Sequence, residues 1–196
     1  MAQKKATRGG VENAKEIELL VSPTRIEIVD TLEALGGEAS VAELAAQLGR
    51  PADGLYYHLR QLAAGGLVEE EAALDGRRYR LPTRRGERLA LRYRPGATAN
   101  AKAVERVASS VLRIAGRDFA RALGDPETIV EGEHRELWTS RLKGWVGPSE
   151  LAEINRLLNR LGKLLHRPRT AERDRLVALS WVLAPIDAKP ARRAAR

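Results

Sequence analysis

Residues 40–81 carry the pattern that most restricts how this chain can fold. The first part, SVAELAAQLGRPADGLYYHLRQLAAGG, holds two short stretches with apolar residues at helical spacing, each ended by glycine. Two runs with strand character then follow, at residues 67–71 and 77–81, on either side of the turn signal Asp75-Gly76. The helical period therefore gives way to a short β-hairpin.

This order predicts a helix-turn-helix followed by a wing. Ser40 and Glu43 form a capping box at the start of the first helix, and a second helix begins near Pro51. Two more helices are predicted upstream, over residues 12–20 and 22–35. The first eleven residues are interpreted as a flexible basic tail.

The basic charge is concentrated rather than spread evenly. The chain has 196 residues and a formal net charge of +8, which favours a polyanionic partner over the alternative of arginine-rich solvated faces. Residues 1–95 are close to neutral, with 15 basic and 14 acidic groups, yet residues 77–94 contain eight arginines against Glu87. The positive charge of this half therefore lies around the hairpin.

Composition excludes several classes of site. The absence of cysteine rules out disulfides and thiolate chemistry, and three scattered histidines do not make a zinc site. We expect no cofactor, and no acid, base and nucleophile come together, so no enzyme is predicted. Without a signal segment or an apolar run of membrane length, the sequence predicts a cytoplasmic protein with no membrane partner.

The second helix of a helix-turn-helix enters the major groove of DNA. Because Leu55, Leu59 and Leu62 must face the core, the predicted DNA contacts are Arg50, Ala52, Asp53, Tyr56, Tyr57 and Arg60. Two alternatives remain open: one tyrosine packs against the hairpin, and His58 either packs or faces phosphate, or instead reads a base.

The hairpin adds Arg77, Arg78 and Arg80 to the predicted DNA contacts. Side chains alternate along a strand, so Arg78 and Arg80 share one face and Arg77 points away. The glutamates at residues 69–71 oppose this interpretation, since they either face away from DNA or pair with the arginines.

Residues 22–93 resemble the winged-helix domain of ArsR-type transcriptional regulators. The matching pieces are SPTRIEIVDTL, SVAELAAQLG and LYYHLRQLAAGGLV, which leads into the wing. The resemblance implies a homodimer that binds operator DNA, usually as a repressor. Gly54 stands where the family often has Ser or Thr, so a contact from that position is missing. The cysteine motifs of the metal-sensing members are absent, and their release by metals is not carried over.

The C-terminal half begins after a helix over residues 83–93 and a boundary at Pro95-Gly96. The spacing of apolar residues over 100–123 predicts a long helix. Its narrow alanine-rich stripe either pairs two protomers or packs on its own domain. Strands are predicted at residues 137–146 and 176–184, around an amphipathic helix that begins after Gly147-Pro148. Three tryptophans are either core residues or the lining of an effector pocket: Trp138, Trp145 and Trp181.

The predicted fold is mainly α with a small β component. Residues 12–95 form a winged helix-turn-helix domain, 98–124 a dimerisation helix, 125–188 a small α/β effector or dimer-supporting domain, and 189–196 a basic tail. The predicted function is a sequence-specific regulator of transcription that binds double-stranded DNA as a homodimer, with a small-molecule effector left open. The alternative is a winged-helix module that binds a protein and reads no specific DNA.

Overall fold

The computed structural model describes residues 10–73, 76–82, 89–94, 96–167 and 169–186. Its elements are α1 (Ala14–Leu19), α2 (Pro23–Ala34), β1 (Glu38–Ser40), α3 (Val41–Leu48), α4 (Asp53–Ala64), β2 (Glu69–Ala73), β3 (Gly76–Arg80), α5 (Thr98–Leu123) and α6 (Pro148–Leu165). The chain is mainly helical with a small antiparallel sheet, as predicted. The tails at residues 1–9 and 189–196 and the turn residue Asp75 lie outside the described residues.

Local signals place the helices of the N-terminal half. The Ser40 hydroxyl accepts a hydrogen bond from the Glu43 N–H at 3.2 Å, and the Glu43 carboxylate accepts one from the Ser40 N–H at 2.7 Å, which completes the capping box. Gly49 ends α3 in the left-handed conformation, with φ of +60°. The turn from residue 49 to 52 then leads into α4.

The sheet has the order β1-β3-β2, and β1 has no counterpart in the sequence prediction. Glu38, Ala39 and Ser40 pair antiparallel with β3, and β2 pairs with the other side of β3. Tyr79 of β3 is fully buried, so the sheet covers the hydrophobic core with one face. The core also takes in Val11, which the sequence placed in the flexible tail.

The helix predicted at residues 83–93 is absent from residues 89–93, and residues 83–88 lie outside the described residues. Val11 donates its N–H to the Ala90 carbonyl at 2.8 Å and accepts from the Arg92 N–H at 2.9 Å. The Leu89 N–H is bound by the Glu33 carboxylate at 2.8 Å. Bonds to distant partners therefore replace the helical bonds that the local sequence favoured.

Helix α5 packs on the N-terminal domain through its first half. Ala103, Val107 and Ser110 are buried, and the Ser110 hydroxyl donates to the Val21 carbonyl at 2.7 Å. Asn100, only 4 % exposed, accepts from the Arg94 N–H and donates to the Glu12 and Arg92 carbonyls. The first half of α5 therefore packs on its own domain.

The second half of α5 and the C-terminal segment are largely exposed. The predicted amphipathic helix is present as α6, but no residue along it is buried. Both predicted strands were wrong, because residues 137–146 and 176–184 form no ladder. A strand needs a partner edge, and Leu142 and Trp145, each 90 % exposed, are covered by none of the residues that the structure describes.

Gly65 allows α1 and α4 to approach each other closely. A Cβ atom at this position would overlap the Leu19 Cδ1 methyl group, which packs against the core. We expect Gly65→Ala to lower the free energy of unfolding by about 1–3 kcal/mol, because Leu19 must leave its place. Denaturant unfolding measures the change.

Gly54→Ala is the matched control, since it adds the same methyl group in the first turn of α4, whereas Gly65 directly follows the last. The nearest atom to that Cβ is a Pro51 carbon at 4.0 Å, so no overlap arises. This variant should be as stable as the wild type or more stable, because alanine favours the helix. Equal losses in the two variants would contradict the role of Leu19.

Candidate nucleic-acid interface

Helix α4 turns one face inward and presents the other to solvent. Leu55, Leu59 and Leu62 are buried. The exposed residues include four of the predicted DNA contacts, namely Asp53, Tyr56, Tyr57 and Arg60. Tyr57 is 57 % exposed and Tyr56 37 %, so both phenol rings reach the surface. The helix therefore offers aromatic rings and one cation on a single surface.

The turn before α4 contains two further predicted contacts, Arg50 and Ala52, which lie in different environments. The Arg50 guanidinium donates to the Glu27 carboxylate at 2.9 Å and to the Thr24 hydroxyl at 3.4 Å, and its side chain is 37 % exposed. Ala52 is half-buried and packs against the core. Arg50 is thus oriented by α2 while part of its charge still reaches solvent.

His58 is oriented toward packing. Burial lowers the pKa of its imidazole, and the nearby charges of Arg25 and Arg50 lower it further. Its ring stands edge-on to Tyr57 at 5.4 Å, and its buried Nδ1 has no hydrogen-bond partner among the residues that the structure describes. Of the roles left open for His58, packing beside the Tyr57 ring fits this environment better than contact with a phosphate or a base.

The arginines of β3 divide between the two faces of the sheet. Arg78 and Arg80 point away from the core, while Arg77 shares the face of buried Tyr79. Arg77 pairs with Glu70 at 2.8 Å. The alternation expected from the sequence is therefore present.

The outer face of the sheet is a mixed layer in which carboxylates outnumber arginines. Arg78 pairs with Glu38 at 2.6 Å and lies 3.5 Å from the Glu43 carboxylate. Arg80 pairs with Glu69 at 2.6 Å and Glu71 at 2.9 Å. The bond to Glu71, first among several causes, raises the pKa of Arg80. The glutamates that opposed a DNA role for the wing thus pair with its arginines.

The predicted basic surface is therefore largely neutralised by the chain itself. Arg50, Arg78 and Arg80 are all ion-paired. Arg60 makes no ion pair with any residue in the described ranges, so it presents its full charge beside the tyrosines. A phosphate group would have to compete with carboxylates for the other three arginines.

The three tryptophans of the proposed effector pocket are all exposed. Trp145 is 90 % exposed, Trp138 67 % and Trp181 37 %. The Arg135 guanidinium covers the Trp138 ring at 3.7 Å from its centre. The described part of the chain therefore encloses none of them.

Two other kinds of site find no support among the described residues. Within the described part of the chain, His, Asp and Glu side chains form no cluster of three or more that would hold a metal ion. In the same residues, no helix is both long and apolar enough to cross a bilayer.

Sequence reasoning missed the residues that hold these arginines. Glu27 lies 23 positions from Arg50 and 90 from Arg117, yet it bonds both. Glu38 lies 40 positions from Arg78. Such pairs produce no periodic pattern in the sequence, because only the tertiary structure brings the two residues together.

Residues 20–71 match the family model described as a helix-turn-helix domain. The matched stretch begins just after α1 and ends within β2, so it includes α2, α3 and α4. Domains of this kind bind DNA and regulate transcription, so the match indicates a DNA-binding regulator. No curated protein matches the chain.

The glutamates of β2 should weaken any binding of DNA by the wing. Glu69→Gln together with Glu71→Gln removes both carboxylates that pair with Arg80. We expect tighter binding to duplex DNA and a log–log salt slope steeper by roughly one, since the freed arginine can replace one more counterion. Fluorescence anisotropy at several salt concentrations measures both quantities.

The matched control makes the same change in net charge at two positions outside the wing. Glu105 and Glu127 are exposed and carry no ion pair within the described ranges, so replacing both with glutamine leaves Arg80 bound. If this control gains as much affinity as the wing variant, general charge is responsible and the wing glutamates are not.

Proposed function

We propose that this protein is a sequence-specific DNA-binding regulator of transcription that acts as a homodimer, most simply a repressor of the ArsR-like kind. The observation that carries the proposal is the exposed face of α4 within the matched helix-turn-helix. Tyr56, Tyr57 and Arg60 project from the helix that enters the major groove in such domains. Tyrosine hydroxyl groups can bond base edges, and arginine can bond bases or phosphates.

Base reading would come mainly from α4, with Asp53 and Ala52 at its N-terminal end. Arg50 would contact phosphate from the turn, and Arg77, Arg78 and Arg80 would reach the backbone or minor groove from the wing. The wing arginines are already paired with carboxylates, so their contribution would be smaller than their number implies. The α4 surface would supply most of the specificity.

Dimerisation is supported by the apolar surface that the single chain leaves open. Leu112 and Leu123 of α5 are 53 % and 63 % exposed. The apolar face of α6 is exposed or half-buried along its length, at Leu151, Ile154, Leu158, Leu161 and Leu165. We propose that residues 98–124 pair the protomers and that residues 125–188 support the dimer or hold an effector, with the three tryptophans as its lining.

Selection of bound sequences from a random duplex pool at near-physiological salt tests the proposal. A homodimer with two recognition helices should enrich an inverted repeat whose half-sites are centred about 34–36 Å apart. Recovery of a single unrepeated half-site would contradict the dimer. Recovery of no motif would contradict sequence-specific binding.

A protein-binding winged helix is the second candidate. The layer around Arg78 and Arg80 favours it, because an outer sheet face with more carboxylates than arginines repels a phosphate backbone. This candidate predicts no enriched motif from the duplex pool and weak, purely salt-dependent retention of DNA.

Tyr57 should carry sequence discrimination. We expect Tyr57→Ala to lower the affinity for the selected duplex by roughly tenfold and the affinity for an unrelated duplex by much less, since base contacts are worth about 1–3 kcal/mol. Competition binding with the two duplexes measures the ratio.

Tyr93→Ala is the matched control, because Tyr93 is a tyrosine 70 % exposed outside the helix-turn-helix. It should leave both affinities unchanged. Equal losses on the two duplexes in Tyr57→Ala would show that this ring supports the fold or the backbone contacts and reads no base.

A further inference from the structure

Glu27 of α2 joins two distant arginines with one carboxylate. Its Oε2 accepts from Arg50 at 2.9 Å, and its Oε1 accepts from Arg117 at 2.7 Å. The Glu27 side chain is only 14 % exposed, whereas Arg50 is 37 % and Arg117 50 % exposed. The carboxylate is therefore held inside, and the two guanidinium groups extend from it toward solvent.

The two arginines belong to different parts of the fold. Arg50 lies in the turn that leads into α4, close enough to His58 to affect the pKa of its imidazole. Arg117 lies in the second half of α5, beyond the last residue of that helix that is buried on the N-terminal domain, Ser110. One carboxylate thus connects the exposed half of α5 with the base of the recognition helix.

The two oxygens of Glu27 are shared between two arginines. This sharing determines how strongly Arg50 can attract another anion. With Arg117 in place, each guanidinium takes one oxygen, so Arg50 shares the Glu27 carboxylate with a second cation. Without Arg117, both oxygens become available to Arg50, and a bidentate pair cancels its charge. A phosphate group would then have to break a stronger bond to reach Arg50.

We propose that Glu27 is a positioning residue that couples the outer half of α5 to the phosphate-binding turn through Arg117 and Arg50. The proposal rests on the DNA-binding function proposed above. A shift of α5 that withdraws Arg117 would tighten the hold of Glu27 on Arg50 and weaken DNA binding. Asp118 also bonds Arg117, at 2.8 Å, and so helps to set the balance.

A mutant cycle on a fixed duplex tests the coupling. We expect Arg117→Gln to lower affinity by about threefold to tenfold. In an Arg50→Gln or a Glu27→Gln background, the same change should alter affinity by less than about twofold, because its effect passes through both groups. An equal loss in all three backgrounds would overturn the proposal, since Arg117 would then contact DNA directly.

Glu27→Gln alone should change the DNA affinity in the opposite direction. It releases Arg50 from a charged partner, so affinity should rise and the log–log salt slope should steepen by roughly one. A purely structural role for Glu27 predicts a loss of affinity together with a lower melting temperature. That combination would overturn the proposal.

Arg121→Gln is the matched control for charge, since it removes a cation one helical turn further along α5. It should leave affinity nearly unchanged. A loss as large as that of Arg117→Gln would assign the effect to the total charge of the helix, and the proposal would fail.

A measurement without DNA separates this proposal from the proposed function. The side-chain Nε–H resonance of Arg50, assigned through its loss in Arg50→Gln, should shift in Arg117→Gln and not in Arg121→Gln. No shift would overturn the coupling even if the protein binds DNA. A shift in a protein that binds no duplex would instead remove the DNA-binding function and leave the coupling in place.

Discussion

The burial of three leucines along α4 determines what the rest of the molecule can present. Leu55, Leu59 and Leu62 fill the space between α2 and α3, so α4 cannot rotate about its axis without exposing them. Its tyrosines and Arg60 are therefore fixed outward. The exposed chemistry of the interface is a consequence of core packing.

Most of the predicted DNA-contacting arginines of this domain are neutralised by glutamates of the same chain. Each wing arginine meets a glutamate, and Arg50 meets Glu27. These bonds lie partly in solvent, so each contributes little to stability. Under the proposed function their larger effect would be on binding, because an incoming phosphate would gain only the difference between its own bond and the one it replaces. Arg60, unpaired among the described residues, differs from the rest in this respect.

Local rules predicted what local interactions determine. The capping box at Ser40, the glycine after α3 and the leucine spacing of α4 act within a few residues, and the helices form where these signals place them. The turn signal and alternation likewise predicted the hairpin. The outward direction of Tyr57 and the two faces of β3 followed from the same periods.

Long-range bonds account for what the sequence could not predict. Residues 89–93 have a helical pattern but bond to Val11 and Glu33, and β1 exists only because β3 pairs with it. The same holds for Glu27, whose partners are known only once α5 lies beside α2. The apolar runs at residues 137–146 and 176–184 have strand-like composition but pair with no strand edge among the described residues.

Asn100 and Ser110 fasten the first half of α5 at two separate points. The buried Asn100 amide is bonded to the backbone at residues 12, 92 and 94, and the Ser110 hydroxyl is bonded to the Val21 carbonyl. Beyond Ser110 the helix continues to Leu123, a further length of roughly 20 Å at 1.5 Å per residue. Because its first half cannot pivot without breaking these bonds, α5 acts as a rigid spacer that sets how far the segment after it lies from the N-terminal domain.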